Sequence, residues 1–165
     1  MLTLGQYLKP VMIYLKTITL TETEKLVIEQ ALRKCSLKRT HALDLVSTVS
    51  DIGSNKIFLG YDSKKEVQFS RLRTSFEKFL PRMIVIIPKN GTDIEYKIRY
   101  SLLSTGVIVF WALGFIVVTA TALVNKYNYE GIMVPAVFFA GFMLLTMLEL
   151  KIISKRIQKA IILNS

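Results

Sequence analysis

Residues 101–124, which read SLLSTGVIVFWALGFIVVTATALV, form an apolar segment without a charged side chain. As an α-helix the segment would be about 36 Å long, which exceeds the roughly 30 Å hydrocarbon core of a bilayer. A buried core helix is the alternative, but residues 1–99 are too few to enclose a helix that is apolar on every side. The segment therefore predicts a transmembrane helix.

A second apolar run covers residues 131–148 and also lacks charged side chains. It reaches spanning length because Glu149 and Leu150 can lie at the membrane interface. Only a short connection separates the two runs, so we expect an antiparallel transmembrane hairpin. Neither run contains an ionisable residue, which disfavours a two-helix transporter or proton channel.

Positive charge is concentrated on both flanks of this hairpin. Residues 1–99 contribute +7 and residues 149–165 contribute +3 to a net charge of +10, whereas the connecting loop has only Lys126 as a basic residue. The positive-inside rule therefore predicts that both termini are cytoplasmic. The distribution also favours a bilayer with anionic headgroups as a partner and disfavours nucleic acid.

Nine residues are predicted to lie at the membrane interface, because they are basic flanking residues or amphipathic tyrosines. They are Lys97, Arg99, Tyr100, Tyr127, Tyr129, Lys151, Lys155, Arg156 and Lys159. Basic and apolar residues alternate at roughly helical spacing after the second run. This predicts that the helix continues as a basic amphipathic tail, residues 151–165, lying along the lipid surface.

Two β-hairpins are predicted in the first hundred residues. Residues 93–100 alternate strictly between charged and apolar side chains, and they follow a β-rich run at 83–87 and a turn at Asn90-Gly91. Residues 56–61 and 66–72 form the second candidate pair. Its apolar face is expected to contain Ile57, Leu59, Val67 and Phe69.

A helix is predicted at residues 22–35, because Thr21 and Glu24 have the spacing of a capping box. Residues 11–20 are rich in β-branched and aromatic side chains and predict a preceding strand, whereas the periodicity of residues 37–55 is ambiguous. The expected fold class is α+β: a small antiparallel-sheet domain with one packed helix, followed by the antiparallel two-helix hairpin. The predicted divisions are 1–99, 100–125, 126–130, 131–150 and 151–165.

Several short motifs resemble uncharacterised bacterial membrane proteins with a small cytoplasmic sheet domain before a two-helix anchor. The motifs are Phe58-Leu-Gly60, Phe69-Ser-Arg71, Ser75-Phe76, Phe79-Leu-Pro81 and Ile94-Glu-Tyr-Lys97-Ile-Arg99. The resemblance covers about residues 56–125. It implies the same architecture and a place in the bacterial inner membrane, and it implies no activity.

The chemistry of known catalytic and metal sites is not found in the sequence. Cys35 and His41 are the only cysteine and histidine, too few for a usual zinc site and too far apart on a helix for a nucleophile pair. There is no glycine-rich phosphate loop. We therefore predict no catalytic residue, metal or cofactor, and no cleavable signal peptide is apparent.

Arginine and phenylalanine residues are interleaved between residues 69 and 82. Arg71, Arg73 and Arg82 are candidate contacts for a partner or a lipid headgroup, and the alternative is the outer face of a strand. The first functional hypothesis is a non-enzymatic, membrane-tethered interaction or sensing module, with a protein partner or self-association through the hairpin. The alternatives are an immunity or defence-associated inner-membrane protein and a lipid-acting membrane enzyme.

Overall fold

The computed structural model describes residues 13–44, 56–74, 76–89, 95–125 and 130–163. The helices and strands are β1 Tyr14–Thr19, α1 Glu22–Lys34, β2 Ser36–Arg39, β3 Phe58–Asp62, β4 Glu66–Arg71, a short 3-10 helix Phe76–Phe79, β5 Met83–Pro88, β6 Glu95–Tyr100, α2 Leu102–Asn125 and α3 Glu130–Ile162. The predicted α+β class is confirmed. The Asn90-Gly91 turn, the loop tyrosines Tyr127 and Tyr129, and residues 45–55 lie outside the described residues.

The strands form one sheet with the order β1-β6-β5-β4-β3-β2. Both predicted hairpins are present, since β3 pairs with β4 and β5 pairs with β6 in antiparallel directions. β2 is parallel to β3, whereas the other pairs are antiparallel. We call the end of the sheet at Arg71 and Tyr100 the helical end, because β6 leads there into α2. The far end contains Asp62 and Glu66.

Each strand presents alternate residues to two different apolar clusters. The helix face of the sheet includes Phe58, Val67 and Phe69, and it is covered by α1 and the last part of α3. The opposite face includes Leu59, and it packs against Leu43. Leu59 therefore does not share a face with Val67 and Phe69 as predicted, because Leu59 is paired with Ser70 in the strand register.

α1 begins at the predicted capping box. The Glu24 amide donates to Thr21 Oγ1 at 3.3 Å, and the Thr21 amide donates to Glu24 Oε2 at 2.8 Å. These bonds satisfy two amides that have no partner within the helix. Ile28 and Leu32 lie on the buried side of α1, against the helix face of the sheet.

α3 is one continuous helix that serves two environments. Ile153, Ile157 and Ala160 are buried in the helix-face cluster, whereas Lys155 remains exposed. The 4- and 3-residue spacings of the buried positions place them on one side of the helix. The apolar side of this segment therefore packs on the sheet, and it does not lie along a lipid surface as predicted.

The preceding part of α3 and most of α2 expose large apolar side chains such as Phe110 and Val137. Trp111 stacks on Phe138 at 5.3 Å between ring centroids, and Phe115 stacks on Phe139 at 6.4 Å. Both helices are long and apolar enough to cross a membrane. Such an extended apolar surface is typical of a contact with a membrane or with another protein.

Candidate functional site

A buried ion pair joins the sheet to α3 at the helical end. Arg71 ends β4 on the helix face, and its Nε and Nη2 atoms donate to Glu149 Oε1 and Oε2 at 3.1 and 2.6 Å. Both side chains are almost inaccessible to solvent. A bidentate arginine–carboxylate pair of this kind fixes the orientation as well as the distance of its partners. The ion pair therefore holds the end of β4 in a fixed position relative to the part of α3 that enters the sheet domain.

Three further charged residues extend this pair. Arg73 Nη2 lies 3.5 Å from Glu149 Oε1, and Arg71 Nη1 lies 2.6 Å from Glu77 Oε1. Arg156 Nη1 donates to the Leu72 carbonyl at 3.0 Å. Burial alone would raise the pKa of Glu77, but hydrogen bonds from the Thr74 amide and Arg71 bring that pKa below its usual value. Glu77 is therefore a carboxylate at neutral pH.

A second ion pair lies on the opposite face of the sheet. Arg99 Nη1 and Nη2 donate to the two Asp44 carboxylate oxygens at 2.8 and 2.9 Å. Asp44 Oδ1 also accepts a bond from the Leu102 amide at 3.0 Å, so a negative charge sits at the first turn of α2, where it is favourable. Burial opposes ionisation of Asp44, yet the Arg99 and Leu102 hydrogen bonds lower its pKa below the usual value.

The start of α2 is fixed by serine and arginine contacts. Ser101 Oγ accepts from the Ser104 amide at 3.3 Å, as a helix cap does. The Arg82 amide donates to Ser104 Oγ at 2.8 Å, and the Ser101 amide donates to the Arg82 carbonyl at 2.9 Å. Burial, followed by the charge of Arg73, lowers the pKa of the Arg82 guanidinium to about 10. Arg82 thus stays protonated at neutral pH.

Both ion pairs therefore connect the sheet to the two apolar helices from opposite sides. Together the cluster contains Arg71, Arg73, Arg82, Arg99, Arg156, Asp44, Glu77 and Glu149. We call these residues the junction cluster. Its chemistry is charge pairing and hydrogen bonding, and its arrangement holds the domain in one orientation relative to α2 and α3.

The structure separates the predicted interface residues into three groups. Arg99 and Tyr100 are buried, and Tyr100 packs against Phe142 and bonds Thr146 Oγ1 at 2.9 Å, because β6 enters the core before α2 begins. Lys97 is half-buried and lies 3.4 Å from Glu95. The exposed residues are Lys151, Lys155 and Lys159, and Arg156 is partly exposed.

The predicted partner contacts Arg71 and Arg73 are likewise buried, and they do not lie on an outer strand face. Their carboxylate partner Glu149 was expected at the membrane interface. A lone carboxylate at the end of an apolar helix is a signal that could have suggested a buried arginine partner. No comparable signal pointed to Asp44, since it lies in the segment without clear periodicity.

A second candidate site is a cavity of about 330 Å³ on the helix face of the sheet, along β2 and β3. Gly60, Val67 and Phe69 form its apolar floor, and Arg33 and Lys38 are among its basic lining residues. Arg33 Nη1 donates to Asp62 Oδ2 at 2.7 Å, and Lys89 also pairs with Asp62. These two hydrogen bonds lower the pKa of Asp62, with that from Lys89 contributing more.

Over the part of the chain that the structure describes, no group of three or more histidine, cysteine or acidic side chains could hold a metal ion. The two candidate sites therefore rest on arginine, lysine, carboxylate and hydroxyl groups. The architecture is that of a six-stranded sheet domain continued by two apolar helices. Comparison with known proteins gives no match to a protein-family model, a curated protein or a solved structure.

Proposed function

We propose that this chain is a membrane-anchored, non-enzymatic sensing or interaction module, in which α2 and α3 span the membrane and the sheet domain binds a partner. The observation that carries the proposal is the single helix α3, which runs from the exposed apolar surface into the core of the sheet. An event at the domain would reach the helices through a rigid connection.

The junction cluster supports this proposal. Arg71 and Arg99 each hold a carboxylate with two hydrogen bonds, so neither guanidinium offers its charge to an external lipid headgroup. This weakens the alternative of a lipid-acting enzyme that uses these arginines. A rigid connection between domain and helices is what a module needs when it transmits or maintains a fixed orientation.

The proposed location is the bacterial inner membrane, with both termini in the cytoplasm. The exposed lysines Lys151, Lys155 and Lys159 follow the second apolar helix, as the positive-inside rule requires for the cytoplasmic side. We expect alkaline phosphatase fused after Asn128 to be active and green fluorescent protein fused to either terminus to fluoresce. Phosphatase activity at the N-terminus would contradict this topology.

The interaction is tested by chemical cross-linking in native membranes, followed by affinity purification of the tagged full chain in mild detergent. We expect a specific protein or lipid to be recovered with it. A tagged two-span membrane protein of similar size, treated in parallel, identifies nonspecific species. Recovery of the chain alone, as a monomer without a specific lipid, would overturn the proposal.

A further inference from the structure

The cavity on the helix face has the features of a small-molecule site. Its volume of about 330 Å³ falls at the lower end of the range of ligand pockets, about 300–1,000 Å³. Val67 and Phe69 provide an apolar floor, and Ser36 and Thr40 place hydroxyl groups among the lining residues. Such a combination of an apolar surface with a few polar groups is typical of sites that bind organic molecules.

Gly60 is needed for the shape of the cavity floor. A Cβ atom at this position would lie 2.8 Å from Ser36 Oγ and 3.4 Å from the Phe69 ring. The first distance is too short for a Cβ contact, so the Ser36 hydroxyl would have to move, whereas the second is close to an ordinary van der Waals contact. The glycine therefore permits the close approach of β2 and leaves the floor without a side chain of its own.

The lining charges favour an anion. Three basic residues, Arg33, Lys38 and Arg39, line the cavity together with one carboxylate, Asp62. Asp62 is already engaged by Arg33 and Lys89.

Lys38 is paired with Gly60 in the strand register, so its side chain lies on the helix face with the cavity, whereas the Arg39 side chain points to the opposite face with Tyr61. Within the described residues, no carboxylate lies within ion-pair distance of Lys38. Lys38 therefore leaves a local excess of positive charge at the cavity.

The position of the cavity bears on the source of its ligand. The lining residues extend from Ser36, which is level with Arg71 at the helical end, to Val67, about 13 Å farther along the sheet. Lys38 is two residues from Ser36 along β2, or about 7 Å. Because Lys38 is exposed on the edge strand β2, away from the strand β6 that leads into α2, a ligand is expected to come from the aqueous phase.

We propose that this cavity binds a small organic anion, with its phosphate or carboxylate held by Lys38 and its apolar part on Val67 and Phe69. The inference rests on the proposed sensing function and specifies the class of ligand that the domain senses. Binding is carried by charge-assisted hydrogen bonds together with burial of an apolar group.

The test uses the full chain in phosphatidylcholine nanodiscs and isothermal titration calorimetry with 1-naphthyl phosphate as the probe. We expect saturable binding that weakens as the salt concentration rises. Inorganic phosphate should bind more weakly because it lacks the apolar part. Absence of binding by 1-naphthyl phosphate would overturn the cavity proposal, whereas it would leave the cross-linking result for the proposed function unchanged.

Matched substitutions separate the cavity from general electrostatic attraction. Lys38→Ala should lower the affinity roughly tenfold or more, since it removes a charged hydrogen-bond donor that faces the cavity. Arg39→Ala on the opposite face of β2 and Lys155→Ala on the exposed side of α3 change the same net charge and should leave the affinity nearly unchanged. An equal loss in all three variants would overturn the proposal.

A second arm identifies the source of the ligand. Nanodiscs that contain phosphatidylglycerol should give the same affinity as those of phosphatidylcholine alone, because Lys38 lies on the edge strand β2, away from the strand β6 that leads into α2. Competition by the anionic lipid would contradict an aqueous ligand. Hydrogen exchange of β2 and β3 in each variant checks that the cavity walls remain folded.

Discussion

At the scale of single residues, Glu149 is a fully buried carboxylate of the junction cluster. Its carboxylate is buried and accepts hydrogen bonds from Arg71 and Arg73. A buried ion pair does not by itself indicate a large stabilisation, because both charges must be removed from water. Removal of one partner is nevertheless costly, since it leaves the other charge buried without compensation.

We expect Glu149→Gln to lower the free energy of unfolding of the sheet domain by about 3–5 kcal/mol. Hydrogen exchange of the domain in nanodiscs measures the change. Lys155→Gln on the exposed side of the same helix should change stability by less than about 0.5 kcal/mol. The combined variant Arg71→Met/Glu149→Leu should recover part of this loss of stability. If neither Glu149→Gln nor the combined variant differed in stability from the unmodified chain, the assignment of Glu149 as the buried partner of Arg71 would be refuted.

Because Asp44 is ionisable, the stability that its contacts provide on the opposite face of the sheet depends on pH. The pKa of Asp44 is lowered in the folded chain from an ordinary value of 3.8, so the charged form stabilises the fold. That stabilisation is complete when the pH is above the ordinary pKa of an aspartate. It disappears as the pH falls through the lower pKa that Asp44 has in the folded chain. We expect the stability difference between the unmodified chain and Asp44→Asn to be constant near neutral pH and to shrink below about pH 4.

Urea unfolding of the full chain in nanodiscs, measured at several pH values, tests this expectation. The comparison removes the effect of other titrating carboxylates, because both chains contain them. A difference that does not change with pH would show that the Asp44 charge does not contribute through Arg99 and the Leu102 amide.

The buried arginines also show which features could not be predicted from the sequence. The sequence predicted Arg71 as a contact for a partner or lipid headgroup, because arginines and phenylalanines are interleaved there, and Arg99 as an interface residue, because it is a basic flank of the first apolar run. Their burial depends on carboxylates that are 78 and 55 residues away along the chain. Periodicity describes a residue's own neighbours and contains no information about such distant partners.

At the scale of elements, short-range sequence patterns predicted individual helices and hairpins correctly. They did not predict how these elements pack against one another. The capping box at Thr21 and the two hairpins were predicted from short-range patterns, and the structure contains all three. The parallel pairing of β2 with β3 could not be predicted, since it depends on contacts across a long connection. The same limit explains why the final segment of α3 was assigned to the lipid surface.

α3 offers a matched pair of isoleucines to test its docking on the sheet. Ile153 is 1% exposed in the core, and Ile162 is 74% exposed near the end of the same helix. We expect Ile153→Ala to destabilise the sheet domain by roughly 2–5 kcal/mol. Ile162→Ala should cost less than about 0.5 kcal/mol.

Hydrogen exchange of β4 and β5 in nanodiscs distinguishes the two variants. If the segment lay on the lipid surface, both substitutions would weaken membrane contact and neither would open the sheet. Equal protection of β4 and β5 in the two variants would therefore contradict the packing of α3 in the core.

At the scale of the whole molecule, an exposed aromatic side chain lies at the helical end of the sheet. Phe79 is 83% exposed in the short helix before β5, and the Leu80 carbonyl beside it accepts a bond from Arg73 at 2.9 Å. Apolar side chains such as phenylalanine can insert into the layer between the headgroups and the acyl chains of a membrane. Under the proposed membrane location, Phe79 would lie in that layer.

We expect a tryptophan at position 79 to be quenched by brominated lipids. The measurement uses Phe79→Trp in a Trp111→Phe background, which removes the tryptophan of the first apolar helix. Leu26→Trp in the same background is the control, because Leu26 is exposed on the first half of α1, toward the far end of the sheet. Similar quenching at both positions would contradict the proposed orientation of the domain on the bilayer.

The strand order has a consequence for synthesis of the chain. β1, the first of the described strands, pairs with β6, the last of them, and the core also requires residues of α3 that follow both apolar segments. The domain therefore reaches its final packing only after the ribosome has made the last part of α3. Until then the helix face of the sheet is open, and a nascent chain with an uncovered apolar sheet is vulnerable to aggregation. Under the proposed membrane location, membrane insertion and completion of the domain would be linked steps of one biogenesis pathway.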